Sequence, residues 1–453
     1  MRAGKAAWFL WAMLTAAAPP AAAQATGNQT SGAYSLHRCL DLAERNYPKI
    51  LQARARLAKQ TGQLREAKTA PYSDFTLSAG LTAAPTVRGT DVYSPNTDSS
   101  LSSDMGLAWQ IGIEGAVPLW TFGKISGLQD AAEAQVEAGK HGVKKERNEV
   151  RLLVRRAYYG LQLARDSLAL VKNAEQRILT HLTRLEERAQ RGQGDDIQLL
   201  KVKMYQAELQ ARESEIQHQE STALSGLRFL TGVSNAFDIP DEPLRRSRHT
   251  LAPLAHYLSA ARLFRPEVNM ARAGVVAREA QLRMARARYY PDLALGLSAK
   301  WARADQVTDQ RNPFVEDRAN FLQYGAGLVL RWKLDFLPQA ARTAQAEADL
   351  EEMRAEEQYA LGGVGVEVEE AFSEARTSEK RVEALSRAAK YARQWLVKVQ
   401  QGIDVGTFDD EDIVDPAKEY ALKRFAQMSA IFDYNIAVAK LAQATGWDAV
   451  VAE

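Results

Sequence analysis

Five carboxylates fall close together after Gly406: Asp409, Asp410, Glu411, Asp412 and Asp415. Grouped carboxylates attract cations, repel one another, and are readily biased by a neighbouring charge. A plainer reading of the same residues is a solvated turn in which Asp415 caps a helix beginning at Pro416. Other reactive residue types do not assemble. The histidines (His37, His141, His181, His218, His249, His256) include no pair at zinc-ligand spacing with a third donor nearby, so no metal site is expected. Gly362-Gly363-Val364-Gly365 is glycine-rich, but no strand precedes it and no phosphate-loop lysine follows; it reads as a loosened or kinked stretch of long helix. Arg283, Arg286 and Arg288 fit an exposed helical face as well as a tunnel lining. No serine, cysteine or carboxylate constellation is arranged for catalysis, so neither an enzyme nor a cofactor is expected.

The bulk properties set the frame for these residues. Across 453 residues, 58 Lys and Arg nearly balance 56 Asp and Glu, leaving a net charge of +2 and no basic excess for nucleic acid. Cys39 is the only cysteine, which excludes an intrachain disulfide. Its neighbours Leu36, His37 and Arg38 are too bulky for a lipidated cysteine, and a partly buried thiol is expected instead. Residues 1–25 read as a secretory signal peptide: Arg2 and Lys5, an apolar run from Ala6 to Ala18, then Pro19-Pro20 and small residues. Cleavage fits either Ala21-Ala22-Ala23 or Ala23-Gln24-Ala25. No later stretch is long and apolar enough for a membrane helix, so any entry into a membrane must be as strands.

The elements that position the acidic cluster come in two copies. Phe336 follows Phe122 by 214 positions (336 less 122), and Gly406, Asp409 and Thr445 follow Gly192, Asp195 and Thr231 by the same step. Such a step makes the chain an internal duplication, with a first repeat over 26–240 and a second over 241–453. In each, a helical segment (36–70, then 255–288) should lead to a β-hairpin (72–117, then 292–332). A long helical hairpin should follow, with its tip near 192 or 406 and a Thr-Gly stop. The strands alternate with period two: Met105, Leu107, Trp109, Ile111 and Ile113 against Gly106, Ala108, Gln110, Gly112 and Glu114. Strands of about ten residues with one apolar and one small or polar face suit a membrane barrel. Residues 124–190, if helical throughout, would reach about 100 Å. Leu161, Ala164, Leu168, Val171, Ile178, Leu182, Leu185 and Ala189 form a narrow seam of coiled-coil type, repeated by Val382, Leu385, Ala389, Ala392, Leu396, Val399 and Ile403.

Four strands cannot close, and open edges are not tolerated in lipid. Three chains would supply twelve strands, one closed barrel, and a tube of helices continuing it. The expected fold is therefore mainly α, with four strands per chain completing a membrane β-barrel in a trimer and long coiled-coil helices forming an α-barrel.

With these markers in order, the chain resembles the TolC-type outer-membrane efflux channel family over nearly the whole mature sequence. Leu42 to Pro48 and Leu263 to Glu267 resemble the family's entry into each half, and Ala67 to Pro71 and Ala285 to Pro291 its approach to each hairpin. Val117 to Lys124 resembles the turn from second strand into long helix, and Val405-Gly406-Thr407 a periplasmic tip. The resemblance implies a homotrimer in the outer membrane of a Gram-negative bacterium, with a large periplasmic portion. It would be a passive duct for efflux or type I secretion, docking a periplasmic adaptor and an inner-membrane pump. Family channels carry aspartates six and nine residues after the tip glycine, which implies a periplasmic gate at Asp412 and Asp415. The tips, Arg191-Gly192-Gln193 and Val405-Gly406-Thr407, would meet the adaptor. Drugs, metal ions and polypeptides all leave through channels of this build. A periplasmic coiled-coil adaptor or scaffold is the competing reading; two equivalent halves with four barrel-like strands argue against it. A soluble helical hydrolase or binding protein is the other, and the missing chemical site and the unbroken helices of about 100 Å argue against that.

Overall fold

Each half opens with a helix that a proline cuts in two. In the computed structural model, which describes residues 33–72, 74–87, 105–191, 196–233, 237–307 and 317–446, α1 (Leu36–Asn46) and α2 (Pro48–Thr69) are separated at Tyr47. Likewise α5 (Leu254–Phe264) and α6 (Pro266–Ala287) are separated at Arg265. The single helical segments expected over 36–70 and 255–288 are thus each two helices. Pro48 and Pro266 push the preceding residue to extended backbone, seen as ψ 126° at Tyr47 and ψ 123° at Arg265, and each can itself start a new helix. The segment expected to be a signal peptide lies outside the described residues.

Those breaks receive the ends of the returning helices. The first hairpin pairs α3 (Lys124–Gln190, 67 residues) with α4 (Asp196–Thr231); the second pairs α7 (Phe336–Asp404, 69 residues) with α8 (Val414–Ala444). Thr231 and Thr445 are buried and donate back to Leu227 O (2.7 Å) and Leu441 O (2.9 Å). At the first break Asn46 Nδ2 donates to Thr231 O (2.8 Å); at the second, buried Arg265 donates to Ala444 O (3.3 Å) and pairs with Glu267 and Glu367. Gly232 (φ 70°) and Gly446 (φ 82°) then carry the chain away in the left-handed region. A Cβ on Gly446 would lie 2.6 Å from Phe264 O, and one on Gly232 would lie 2.9 Å from Asn46 Cβ. The Thr-Gly stop is therefore a docking joint, in which free helix-end carbonyls are capped by the broken helix beside them.

The cores repeat as the markers do. Cys39, Ala43 and Ile50 pack with Val150, Val154, Leu161 and Leu227; Tyr257, Ala261 and Val268 pack with Val364, Val368, Ala375 and Leu441. Burial pushes the Cys39 thiol up to about 12, so it stays neutral and inert. The seams bury against the returning helix: Ala164 and Val171 meet Ile216, Leu182 and Leu185 meet Val202, and Val382 meets Ala430, Tyr434 and Val438. Gly362, Gly363 and Gly365 do not interrupt α7, and a Cβ on any of them would meet open space.

The four strands, β1 (Phe75–Pro85), β2 (Met105–Trp120), β3 (Asp292–Ala304) and β4 (Phe321–Arg331), form one antiparallel sheet in the order β1-β2-β3-β4. Its register gathers the apolar residues on one face, through Leu77↔Ile113, Leu81↔Trp109, Ile111↔Trp301, Leu295↔Leu328 and Leu293↔Leu330. That face is uncovered: Leu77 and Leu328 are about 70% exposed. The other face carries Ser78, Gly112, Glu114, Ser298 and Gln323, with Lys300 bonded to Glu114 at 3.3 Å.

Below the sheet the helices lie side by side as α2-α3-α6-α7; towards the tips α3 packs on both α4 and α8, α8 packs on α7, and α4 side chains also reach α8. One chain is therefore an open strip, bounded by β1, α2 and α4 on one edge and by β4 and α7 on the other. A connector, residues 237–253, crosses between the halves and is tied to both. Arg165 holds Asp238 (2.5 Å) and Ile239 O (3.3 Å), Asp166 accepts from Leu244 N (2.9 Å), and Asn435 bonds Ser247 N and Arg245 O (2.8 Å each). Tyr257 hydroxyl accepts from Ala252 N (3.0 Å) and shares a hydrogen bond with His249 Nε2 at 2.9 Å.

Two outcomes follow. Gly446→Ala should lower unfolding free energy by about 2 kcal/mol or more, because it adds left-handed strain to a backbone clash. Gly226→Ala, mid-helix and facing open space, should raise it by about 0.5–1 kcal/mol. Chemical denaturation of the detergent-extracted protein distinguishes them; equal effects would remove the joint. Burial lowers the affinity of His249 and His141 for a proton. The folded state then binds fewer protons than the unfolded one, so stability held above the ordinary value of 6.5 is lost as pH falls through it. Melting curves from about pH 8 to about pH 5 should show that loss, and His249→Leu should flatten part of it. Burial raises Asp166 and Asp433, whose effect has the opposite sign and lies at lower pH.

Candidate functional site

The second hairpin turns through a glycine whose backbone no other residue adopts cheaply. After Asp404 the helix closes with Val405 N–H on Gln401 O (3.2 Å), and Gly406 takes φ 76°. Thr407 N–H and Phe408 N–H both return to Gly402 O, at 2.7 and 3.3 Å. The Phe408 ring occupies the space that a Cβ on Gly402 would need, so the tip folds back on its own helix. Val405 stays 77% exposed at the end of the hairpin.

The acidic turn follows at once. Asp412 Oδ2 accepts from Asp409 N–H (2.9 Å), and Asp412 N–H donates to Asp409 O (3.0 Å), setting a short 3-10 turn over Asp410–Ile413. α8 begins at Val414, not at Pro416, and its start has no side-chain cap. Asp415 thus lies inside the first turn, where the helix dipole favours its charge. Pro416 also lies there, where a missing N–H costs no helical bond. The Asp415 carboxylate reaches Lys201 Nζ on α4 at 3.5 Å. Both aspartate side chains are exposed, on the same end of the molecule as Val405, Gly406 and Thr407. At the first tip Arg191 is exposed and closes α3 with its N–H on Arg188 O (3.1 Å); Gly192 and Gln193 lie outside the described residues.

The partner of Asp415 is invisible in the sequence. Lys201 stands in the other half with no local signal, and only the packing of the two hairpins brings it close. Two neighbouring contacts repeat the bridge: Lys418 Nζ lies 4.1 Å from the Tyr205 ring centre, and the Arg212 guanidinium 4.7 Å from that of Phe425.

A second feature lies at the other end of the long helices. Tyr72, Trp120, Phe122, Tyr290, Trp332 and Phe336 are exposed where strands become helices. Phe122 stacks on Tyr290 (5.1 Å), Trp120 meets Phe122 edge-on, and Trp332 donates its indole N–H to Tyr289 O (3.1 Å). Lys124 locks this junction across the halves, bonding Tyr290 O and Asp292 at 2.8 Å each. Rings with an apolar body and a polar tip collect at membrane–water boundaries. The signal is present in the sequence, since Phe122 and Phe336 are the same repeat marker, but there it reads only as a spacing. Among the described residues no helix is long and apolar enough to cross a membrane, and no cluster of His, Cys, Asp and Glu could hold a metal ion.

Comparison with known proteins agrees with this geometry. The chain is 26% identical over 266 residues to protein CyaE of Bordetella pertussis, an alignment covering 58% of this chain and 54% of CyaE, so the match spans about half of that relative's length. A membrane protein of Pseudomonas aeruginosa superposes with a TM-score of 0.73 at 20% identity, over 92% of this chain and 91% of the other. The MtrE outer membrane channel of Neisseria gonorrhoeae, in its open state, superposes with a TM-score of 0.72 at 15% identity, over 91% and 88%. These likenesses establish the fold, four sheet strands beneath which two long helical hairpins run. The family model described as outer membrane efflux protein matches residues 39–233 and 257–447, one stretch in each half, and the chain belongs to that family.

Proposed function

We propose that three copies of this chain close into a passive exit duct, the outer-membrane channel of a tripartite efflux or type I secretion system in a Gram-negative bacterium. The open strip carries this reading. The sheet exposes an apolar face and leaves β1 and β4 unpaired at its edges, among the described residues. In hydrocarbon such edges must be paired and such a face must meet lipid. Pairing β4 of one copy with β1 of the next satisfies every edge at once, with the aromatic rings at the strand–helix junction marking the periplasmic boundary of the bilayer. The helices then continue the barrel as a tube of about 100 Å.

Asp412 and Asp415 form the gate in this reading. Threefold symmetry repeats each exposed carboxylate around the narrow inner end, where like charges repel and cations gather. The Lys201 ammonium beside Asp415 neutralises part of that ring and leaves Asp412 the freer charge. The tips, Arg191 to Gln193 and Val405 to Thr407, are the surfaces for a periplasmic adaptor, which links the duct to an inner-membrane pump that supplies the energy.

In planar bilayers the purified protein should conduct, and divalent cations should block it from the periplasmic side. Asp412→Ala with Asp415→Ala should relieve the block and change the conductance, Asp412→Ala contributing more. Absence of conducting events would refute the duct, and unchanged block would refute the gate alone. A photo-crosslinker at Gln193 or Thr407 should capture a periplasmic adaptor in intact cells, whereas one at the exposed position Leu153, far up α3 from the tip, should not; equal labelling would remove the tips as the docking surface.

A further inference from the structure

Just below the sheet, at the level of α2, the two edges of the helical strip carry opposite charge. On α2, six basic residues stand against one acid, Glu66, and Lys49, Arg56, Lys59, Arg65 and Lys68 are exposed without an ion-pair partner among the described residues. On the other edge, the part of α7 level with α2 exposes Glu351, Glu352 and Glu356, likewise unpaired among the described residues, whereas nearer the tip α7 also exposes basic residues such as Arg376, Lys380 and Lys390. Their neighbours on that helix behave differently. Glu347, Asp349 and Glu357, which face α6, are taken up by Arg286, Arg278 and Arg272. The unpaired charges are therefore those turned away from the chain's own core. Within each edge they also repel, as Glu352 and Glu356 do one helical turn apart.

We infer that these edges are the two halves of one intersubunit seam, the basic α2 edge of one copy seating against the acidic α7 edge of the next. This deepens the trimeric reading and rests on it. The occupant is a second copy of this chain, because the complementary charges lie on opposite edges of a single strip. The polarity also decides the symmetry. Two acidic edges or two basic edges repel, which disfavours a twofold dimer, whereas acidic-to-basic contact leaves a free edge of each sign until a ring closes.

The seam inside the chain supplies the register. There α3 meets α6 with Gly127 against Ala280 and Met284, and Gly142 against Met270. The α3 positions recur in α7 214 residues on, and the α2 positions recur in α6 218 residues on (266 less 48, the two helix-starting prolines). Transferring the contacts places Ala341 of one copy against Gly62 of the next, and Glu356 against Gln52. Glu352 then falls beside Arg56 and Lys59 within about one helical turn. A Cβ on Gly62 meets nothing within 4 Å in the single chain, so this surface of α2 is open to such an approach.

The test reverses one edge at a time in detergent-extracted protein, with trimer measured by native mass spectrometry. Arg56→Glu with Lys59→Glu, or Glu352→Lys with Glu356→Lys, should lower the trimer fraction at low salt by about tenfold, and combining all four should restore it. High salt should weaken the wild-type ring and spare the reversed ones the added repulsion. Gly62→Cys with Ala341→Cys, in a Cys39→Ala background, should form a covalent trimer on oxidation. Edge-reversed variants that assemble as well as the wild-type chain, or a cysteine pair that yields no crosslink, overturn the seam and leave the channel reading standing. A wild-type chain that stays monomeric overturns the channel reading itself.

Discussion

An antiparallel sheet with one greasy face and two unpaired edges has no stable home as a single copy. In water the face is a liability and in lipid the edges are. The rest of the molecule answers that constraint. The helices below the sheet keep the same lateral order as the strands, so the chain presents matching edges from the outer end of the barrel to the hairpin tips. Closure at one level requires closure at the others. The lateral charge on α2 and α7 has a physical role only in that setting.

The strip holds together because each half solves the same joint in the same place. A proline breaks one helix, the end of another docks into the break, and a side chain of the break caps the free carbonyl. The halves differ in the chemistry of that cap, which is a neutral amide at Asn46 and a buried guanidinium with two carboxylates at Arg265. The connector between the halves is equally well satisfied, its backbone taken up by Asp166, Asn435 and Tyr257. Such joints leave the barrel end and the tips as the parts free to meet lipid and partners.

At the tips the balance reverses. Side chains there are exposed, the turn is held chiefly by its own backbone, and the contacts between hairpins are single charges against single charges or rings. Surface pairs of that kind contribute little to stability. An end built this way can change its arrangement without disturbing the cores above it, which is the property a gate requires.

Much of this architecture is legible in the amino-acid order alone. Period-two alternation places the strands, the 214-residue step reveals the duplication, and the heptad-like seams foretell long antiparallel helices, because each reports a local geometry repeated along the chain. The prolines are equally visible, yet they do not by themselves announce the breaks at Tyr47 and Arg265, since a proline can also begin a helix that continues the previous direction. Proline spacing places the start of α8 two residues late for a related reason: the first turn tolerates proline at several positions. Lys201 beside Asp415, the lock of Lys124 on Asp292, and the outward facing of the unpaired charges on α2 and α7 belong to tertiary structure alone. Residues far apart in sequence carry no mark of which neighbours they will share, and only the lateral order of the packed helices decides which charges are paired within the chain and which are left facing outward.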